Sequence, residues 1–245
     1  ETIRPDEDVR VLPIAEVYDL KLDKDGKPIK RKYRICAKGF RQKKGVDYFN
    51  VYAPVIDPEV MRMVFVVAAE LGLIIEQFDF TAAFLTSKTD VEMYVELPPG
   101  YQLKNFDEGS RNKVILRLLK SIYGMKQAAH LFWKYVSQDL RNLGFKQSKS
   151  SKCLFTKCCD GNLALLVLHV DDGAHATRHK SLISKDLALL QRKYKLSHEP
   201  LNWYVGLRIV REDGFVGVYC DAYIEQCAIR FGLTENKPAS VPAVM

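Results

Sequence analysis

The chain has 245 residues, of which 47% are hydrophobic and 27% charged, and its formal net charge is +7. This composition argues against intrinsic disorder. No apolar run reaches the roughly 18 residues of a membrane span. The charged start, ETIRPDEDVR, lacks the apolar core of a secretory signal. Because the chain starts without Met and ends in a loop-like PASVPAVM, we expect it to be a segment of a longer polypeptide.

The predicted elements alternate between strands and helices without strict βαβ repetition, which favours an α+β fold over a doubly wound sheet. In chain order we predict strands over 11–22 and 29–40, a helix from 58 to about 70, strands over 73–80 and 114–119, a helix over 128–143, strands over 154–157 and 163–170, a helix over 181–194, a strand over 203–210, and a helix capped by Asp221 that runs to about 231.

Two of these elements are expected in the interior. The helix that begins at Asp57-Pro58 is apolar on most sides, which predicts a buried core helix. The strand over 163–170 is apolar on both faces, which predicts a central strand.

The positive charge is concentrated in residues 27–44, which hold nine Lys or Arg and no acid. Of the 37 basic residues, 28 lie elsewhere, against 30 acids. Such a segment indicates contact with nucleic acid, a triphosphate or a membrane surface, and a solvated lysine-rich hairpin is the alternative. Apolar residues interleaved with the cations, from Tyr33 to Phe40, predict a buried face that holds the cations in place.

Six cysteines without a C-x-x-C pair indicate reduced, intracellular thiols. A zinc site built from Cys158, Cys159 and a nearby His169, His175 or His179 is not favoured, because the spacings fit no zinc pattern.

Three carboxylates follow apolar strands, where burial makes their charge costly. Asp79 ends one strand, and Asp171-Asp172 follow the central one. Adjacent, partly desolvated carboxylates repel each other unless a cation is bound, and Mg²⁺ prefers carboxylate and phosphate oxygens. A turn at Asp-Asp-Gly and a cap at Asp79 are the structural alternatives. Together, the three residues predict a two-metal site for phosphoryl transfer.

Seven motifs in the correct order make the chain resemble the reverse transcriptase domain of copia-type LTR retrotransposons. They cover nearly the whole chain: Lys32-Tyr-Arg-Ile-Cys-Ala-Lys-Gly-Phe40, Tyr52-Ala-Pro-Val55, Gln77-Phe-Asp-Phe-Thr-Ala-Ala-Phe-Leu85, Ser121-Ile-Tyr-Gly-Met-Lys-Gln127, Leu143-Gly-Phe145, Val170-Asp-Asp172 and Tyr204-Val-Gly206. Each motif is weak alone, and their order is specific.

The resemblance implies an α+β, right-hand polymerase fold with palm, fingers and the start of a thumb. Residues 10–72 and 86–127 would be mainly fingers, 73–85 and 128–200 mainly palm, 201–219 a primer-grip-like hairpin, and 220–245 the start of the thumb. The implied activity is RNA-directed DNA synthesis, in which a dNTP is joined to a primer 3′-OH by two-metal phosphoryl transfer.

The resemblance also implies roles for individual residues. The catalytic, metal-binding residues would be Asp79, Asp171 and Asp172, with two Mg²⁺ ions that Mn²⁺ can replace. The nucleotide-binding residues would be Lys32, Arg34, Phe80 through its carbonyl, Phe84 as an aromatic gate against the 2′-hydroxyl of an rNTP, and Tyr123. The primer or template would contact Lys126, His169, Tyr204 and Gly206.

The implied partners are an RNA or DNA template, a primer, dNTP, and other parts of a Gag-Pol polyprotein such as RNase H and integrase, with no membrane. The implied location is intracellular, in a cytoplasmic virus-like particle that could reach the nucleus.

Three departures from the family pattern weaken the expectation of full activity. His169 stands where the family usually has Tyr, Ala128-Ala129 replace the usual Ser-Pro, and Gly173-Ala-His-Ala replaces an aliphatic run after Asp172. We therefore expect a weakened strand after Asp172. The alternatives to an active polymerase are a nucleic-acid-binding remnant without turnover and a two-metal nuclease or nucleotide cyclase on a related palm.

Overall fold

A computed structural model describes residues 2–3, 9–22, 27–101, 114–212 and 215–233, and the α+β fold is given for these residues. Their helices are α1 (Pro58–Glu70), α2 (Ala128–Asn142), α3 (Lys180–Gln191) and α4 (Asp221–Arg230). Their strands are β1 (Thr2–Ile3), β2 (Val11–Leu12), β3 (Ile14–Leu22), β4 (Pro28–Ala37), β5 (Ile74–Phe80), β6 (Tyr94–Glu96), β7 (Ile115–Arg117), β8 (Lys146–Gln147), β9 (Leu154–Cys159), β10 (Asn162–His169), β11 (Asp172–Thr177), β12 (Leu196–Pro200), β13 (Trp203–Tyr204), β14 (Leu207–Glu212) and β15 (Phe215–Tyr219). None of the helices in these ranges is long and apolar enough to cross a membrane.

A six-stranded antiparallel sheet in the order β12-β5-β11-β10-β9-β8 forms the centre of the fold. Both faces of its strand β10 are buried, as the sequence predicts for a central strand. Leu166 packs with residues of α2 and α3 on one face, and Val167 packs with residues of α1 on the other. The sheet therefore has helices on both sides.

Three smaller sheets surround this centre. The hairpin β3-β4 carries most of the basic segment, and β13-β14-β15 form a three-stranded sheet after β12. The fourth sheet has the order β1-β7-β6-β2, with β2 and β6 parallel.

A buried ion-pair network lies under the central sheet at α3. Asp186, which is 1% exposed, has Lys157 Nζ at 2.7 Å and His175 Nε2 at 3.2 Å from its two carboxylate oxygens. Burial alone would raise the pKa of Asp186. The hydrogen bonds from His175 and Lys157 have the opposite and larger combined effect, so the pKa lies below its usual range. The carboxylate thus stays charged in the core because it has two partners.

The strand after Asp172 contradicts the expectation that Gly-Ala-His-Ala weakens it. Residues 173–177 are buried, and β11 pairs with both β5 and β10. A Cβ at Gly173 would lie 2.1 Å from the ring of Phe78. The small residue allows the close packing on which this strand depends, and an aliphatic side chain would not fit.

Helix α1 also differs from its prediction. Its bounds are confirmed, but Met63 and Val66 are exposed while Val64 and Phe65 are buried. The prediction of burial on most sides is wrong, because α1 packs on one face of the sheet and its other side faces solvent.

The strand predicted over 203–210 is interrupted. Val205 and Gly206 have positive φ values of 51° and 77° and form a tight turn between β13 and β14. Asp221 is the first residue of α4 rather than its cap, and it accepts a hydrogen bond from Arg208.

The basic hairpin is less buried than the sequence indicates. Ala37 is buried at its base, whereas Tyr33 and Phe40 are exposed. Tyr33 and Tyr18 form a cross-strand ring pair with centroids 5.1 Å apart. The hairpin is therefore anchored at one end and extends into solvent beyond it.

Candidate active site

Asp79 and Asp172 meet at the centre of the site although they come from distant parts of the sequence. They are register partners on the antiparallel strands β5 and β11, and Asp79 is close enough to raise the pKa of Asp172. Each lies an even number of residues from a core residue on the α1 face, Ile75 and Ala174 respectively. Both carboxylates therefore lie on that face of the sheet.

Asp171 lies beside this pair, in the two-residue turn between β10 and β11. The preceding Val170 has a positive φ of 57°, and Asp171 O accepts a hydrogen bond from Phe80 N at 2.9 Å. This bond joins the turn to the end of β5. The three aspartates are thus held by backbone pairing at adjacent strand ends.

A row of register partners crosses the sheet through this point. His169 pairs with Asp172, which pairs with Asp79, which pairs with Ser197 on β12. His169 Nδ1 is buried without a hydrogen-bond partner. Burial lowers the pKa of His169, and the nearby Asp171 carboxylate only partly opposes this effect. A neutral imidazole therefore lies next to the acidic pair.

The acidic pair is electrostatically strained. The pKa of Asp172 is raised to about 6, first by burial, then by the charges of Asp171 and Asp79 and by the hydrogen bond with Asp79. Close carboxylates in a partly desolvated site favour either a shared proton or a bound cation. The site therefore has the local charge that a cation would neutralise.

The donor set fits a hard divalent cation. Carboxylate oxygens from Asp79 and Asp172 lie in contact, with a third carboxylate, Asp171, on the neighbouring turn. Mg²⁺ is typically held by one or two carboxylates together with water and substrate phosphates. In the described part of the chain, no three or more His, Cys, Asp or Glu side chains are already arranged around one metal position.

A pocket of about 170 Å³ opens beside the carboxylates. It lies between the end of β5 and the turn after β13, and its walls include Asp79, Asp172, Trp203 and Tyr204. Tyr204 is 3% exposed, and its hydroxyl has no hydrogen-bond partner. Burial, and then the charges of Asp172 and Cys153, raise the pKa of Tyr204. The hydroxyl is thus a buried, neutral donor without a partner.

Three of the predicted nucleotide-binding residues form a chain of contacts in which Tyr123 is the middle member. The guanidinium of Arg34 lies over the ring of Tyr123, 5.7 Å from its centroid. The Tyr123 ring in turn contacts Phe84 edge-on, with centroids 5.5 Å apart. Phe84 lies in a short 3₁₀ turn, Ala83–Thr86, which follows the left-handed residue Ala82 after β5. A cation and two rings thus line up near the chain that leaves Asp79.

The remaining predicted nucleotide contacts, Lys32 and Phe80, have different environments. Lys32 is half-buried on β4 and pairs in register with Asp19. The ring of Phe80 is buried against Phe132 and Tyr194, with centroids 5.1 and 5.3 Å away. Any contact of Phe80 with a ligand would therefore have to be through its backbone.

Lys126 lies in a separate group of contacts from Tyr204 and Gly206. Its Nζ donates to Gln42 O at 3.3 Å and lies 5.0 Å from the ring centroid of Tyr48. Tyr204 ends β13 and lines the pocket, and Gly206 lies in the β13-β14 turn that follows it. The structure therefore does not bring all predicted primer or template contacts together.

Sequence analysis missed four polar residues at the pocket: Gln77, Ser197, His198 and Glu199. Ser197 lies opposite Asp79, and Gln77 lies two residues before it on the same strand. The available signal was the position of Gln77, two residues from Asp79 on the same strand, which places both on one side of the sheet.

Comparison with known sequences decides the family. The profile described as reverse transcriptase (RNA-dependent DNA polymerase) matches residues 2–245. The chain belongs to this family. Among curated relatives of this reverse transcriptase domain is the retrovirus-related Pol polyprotein from transposon TNT 1-94 of Nicotiana tabacum. It is 31% identical over 237 residues, which cover 95% of this chain and 18% of that protein.

The retrovirus-related Pol polyprotein from transposon RE1 of Arabidopsis thaliana is 27% identical over 239 residues, which cover 97% of this chain and 16% of that protein. These matches confirm the predicted copia-type relationship, and the chain spans less than a fifth of these relatives' length. A solved structure of apo telomerase from Candida tropicalis has a TM-score of 0.42 and 12% identity, covering 89% of this chain and 56% of that one. That likeness is too distant to carry a conclusion.

Proposed function

We propose that this reverse transcriptase domain is an RNA-directed DNA polymerase, which transfers the nucleotidyl group of a dNTP to a primer 3′-OH. The observation that carries the proposal is the contact between Asp79 and Asp172, with Asp171 beside them, at the end of a buried sheet. Structural carboxylates are rarely placed together in this way, because their repulsion destabilises the fold unless a cation is bound.

The three aspartates act as the cation ligands. Two bound Mg²⁺ ions, or Mn²⁺ in their place, would align the 3′-oxygen with the α-phosphorus and neutralise the charge that develops on the phosphate oxygens. Asp79 and Asp172 supply oxygen atoms from adjacent strands, and Asp171 supplies a third carboxylate from the turn. The carbonyl of Phe80 lies at the end of β5 and is a further ligand in this proposal.

Arg34, Lys32 and the rings at 84 and 123 form the nucleotide site. A planar guanidinium binds two phosphate oxygens at once, which suits Arg34 to the triphosphate. Phe84 would meet the 2′ position of the sugar, so a hydroxyl there would clash with its ring. Tyr123 packs between these two residues and holds them in one arrangement.

The primer end would lie against His169, Tyr204 and Gly206. His169 lies next to the carboxylates, Tyr204 lines the pocket beside them, and Gly206 adjoins that pocket. Lys126 would contact the nucleic-acid backbone farther along. In polymerase terms, residues 73–85 and 128–200 are mainly palm, 10–72 and 86–127 mainly fingers, 201–219 the primer grip and 220–245 the start of the thumb.

As part of a longer Pol polyprotein, the domain would work with RNase H and integrase segments on an RNA or DNA template. Its place would be an intracellular, virus-like particle with access to the nucleus.

The test is single-nucleotide incorporation on a primed RNA template with Mg²⁺ or Mn²⁺, using matched dNTP and rNTP. The folded, monodisperse chain should add the matched dNTP and discriminate against the rNTP. Salt-dependent template binding without any incorporation, beside a working control enzyme, would instead identify a nucleic-acid-binding remnant.

A further inference from the structure

Gln77 makes three hydrogen bonds with its side chain, all to the chain segment that enters the β13-β14 hairpin. Its Nε2 donates to Glu199 Oε1 at 2.7 Å. Its Oε1 accepts from the backbone N–H groups of Asn202 and Trp203, at 3.2 and 3.1 Å. One side chain on β5 thus holds the start of the hairpin.

These bonds continue the sheet at the point where its backbone ladder ends. Strand β12 ends at Pro200, which has no N–H, and the last backbone bond to β5 runs from Leu201 N to Ile75 O at 3.3 Å. Beyond it, the N–H groups of Asn202 and Trp203 would lack a strand partner. The Gln77 amide oxygen accepts a hydrogen bond from each of them and so extends the pairing by one further step.

The same side chain lies on the wall of the pocket beside the carboxylates. Gln77 and Asp79 are alternate residues of β5, and both line this pocket with Trp203, Tyr204 and Val205. Gln77 therefore links the start of the hairpin to the strand that carries Asp79.

We propose that Gln77 is a positioning residue, which fixes the hairpin over residues 203–206 relative to Asp79 and Asp172. This inference rests on the proposed function, because the object to be positioned is the primer end. A displacement of about 1 Å between reacting groups can cost on the order of a hundredfold in rate. Loss of the three bonds should therefore lower kcat and leave dNTP binding unchanged.

The experiment compares Gln77→Met with Gln138→Met. Methionine keeps the length of the side chain and removes all three hydrogen bonds, whereas Gln138 is exposed on α2 and bonds only its own helix neighbours. We expect kcat for matched dNTP addition to fall roughly 10- to 100-fold in Gln77→Met. The KM for dNTP should change by less than about twofold, and Gln138→Met should match the wild type.

A second measurement follows the solvent exposure of the hairpin and does not depend on catalysis. In a Trp133→Phe background, Trp203 is the remaining tryptophan, and its fluorescence quenching by acrylamide should rise in Gln77→Met. If the wild type adds no nucleotide, the proposed function fails, and this quenching still decides whether Gln77 holds the hairpin.

A rescue distinguishes positioning from general stability. Gln77→Glu places a carboxylate against Glu199 and should lower kcat, while adding Glu199→Gln restores a donor across the pair and should recover most of the loss. Unchanged kcat and unchanged quenching in Gln77→Met would overturn the proposal, as would a swapped pair no better than Gln77→Glu. Should Gln77→Met fail to fold, the swapped pair alone decides.

Discussion

Asp79 and Asp172 face each other across adjacent antiparallel strands, so their separation is set by the sheet and not by a loop. Directly opposed residues in such a pair have Cβ atoms about 4.5–5.5 Å apart. Two carboxyl groups at that spacing can share a cation, and without one they repel each other. Both consequences can be measured.

Replacement of Asp79 or Asp171 by Asn should abolish nucleotide addition. Each change removes a charged cation ligand worth several kcal/mol in the transition state, which corresponds to a rate loss of about a thousandfold or more. Template affinity should stay nearly constant, because binding to the phosphate backbone uses the basic residues. Primer extension measures nucleotide addition, and fluorescence anisotropy on the same preparations measures template affinity. A variant that retains more than a tenth of the wild-type rate would contradict this assignment.

The same Asp79→Asn change should stabilise the fold when divalent cations are absent. It removes a carboxylate in contact with Asp172, and at pH 8 in EDTA we expect a gain of about 1 kcal/mol, or a few degrees in Tm. Added Mg²⁺ should raise the Tm of the wild type more than that of the variant. Thermal melts with and without EDTA test this prediction, and equal Mg²⁺ responses would count against a shared cation.

Shortening Phe84 should weaken the discrimination between sugars. In Phe84→Ala the clash with a 2′-hydroxyl is lost, and the ratio of rNTP to dNTP incorporation should rise about 10- to 100-fold. Leu85→Ala, at an exposed neighbouring position, is the matched control. Because Phe84 also packs on Tyr123, Tm is measured alongside. A discrimination ratio that stays the same in a folded variant would reduce Phe84 to a packing residue.

Loss of the Arg34 guanidinium should weaken dNTP binding. Charge-assisted hydrogen bonds are worth about 1.5–3 kcal/mol, so Arg34→Ala should raise the KM for dNTP roughly 10- to 100-fold. Arg34→Lys should recover only part of this loss, since Lys cannot bind two oxygens in a planar fork. Arg31→Ala, on the exposed part of the same strand, serves as the control in steady-state kinetics. Equal effects at 31 and 34 would indicate a diffuse electrostatic contribution instead.

Asp186 should make stability sensitive to acid. Its pKa is lower in the folded chain than in the unfolded one, so its contribution is present above the unfolded pKa and is lost as pH falls through the folded value. Asp186→Asn should cost about 3–5 kcal/mol near pH 7, because it leaves Lys157 without its partner in the core. The difference from wild type should shrink below about pH 4. Urea unfolding at several pH values measures this difference in the free energy of unfolding. Asp160→Asn, in an exposed turn, is the control.

Much of the site was predictable because its residues interrupt strong apolar patterns. The run before Asp171 predicts a strand buried on both faces, and β10 is that strand. The register that brings Asp79 to Asp172 was not predictable, because it depends on which distant strands pair. Strand β11 was underestimated for a related reason. Gly173 has a low strand propensity. Its contribution, which is to leave room for the ring of Phe78, depends on a contact between strands that the local sequence does not show.

Residues that act through backbone partners were the hardest to foresee. The side chain of Gln77 satisfies N–H groups more than 120 positions away along the chain. Nothing local to Gln77 signals this, whereas the bounds of α1 follow from local signals at its start.

The junction between the basic hairpin and the segment around Tyr123 restricts how the hairpin can bend. Ala37 N donates to Tyr123 O at 2.7 Å, and a Cβ added at Gly124 or Gly39 would approach a facing carbonyl oxygen to about 2 Å. Two backbones in such contact cannot slide past each other. Any bending of the hairpin must therefore pivot on the tip side of Ala37 while its base stays still.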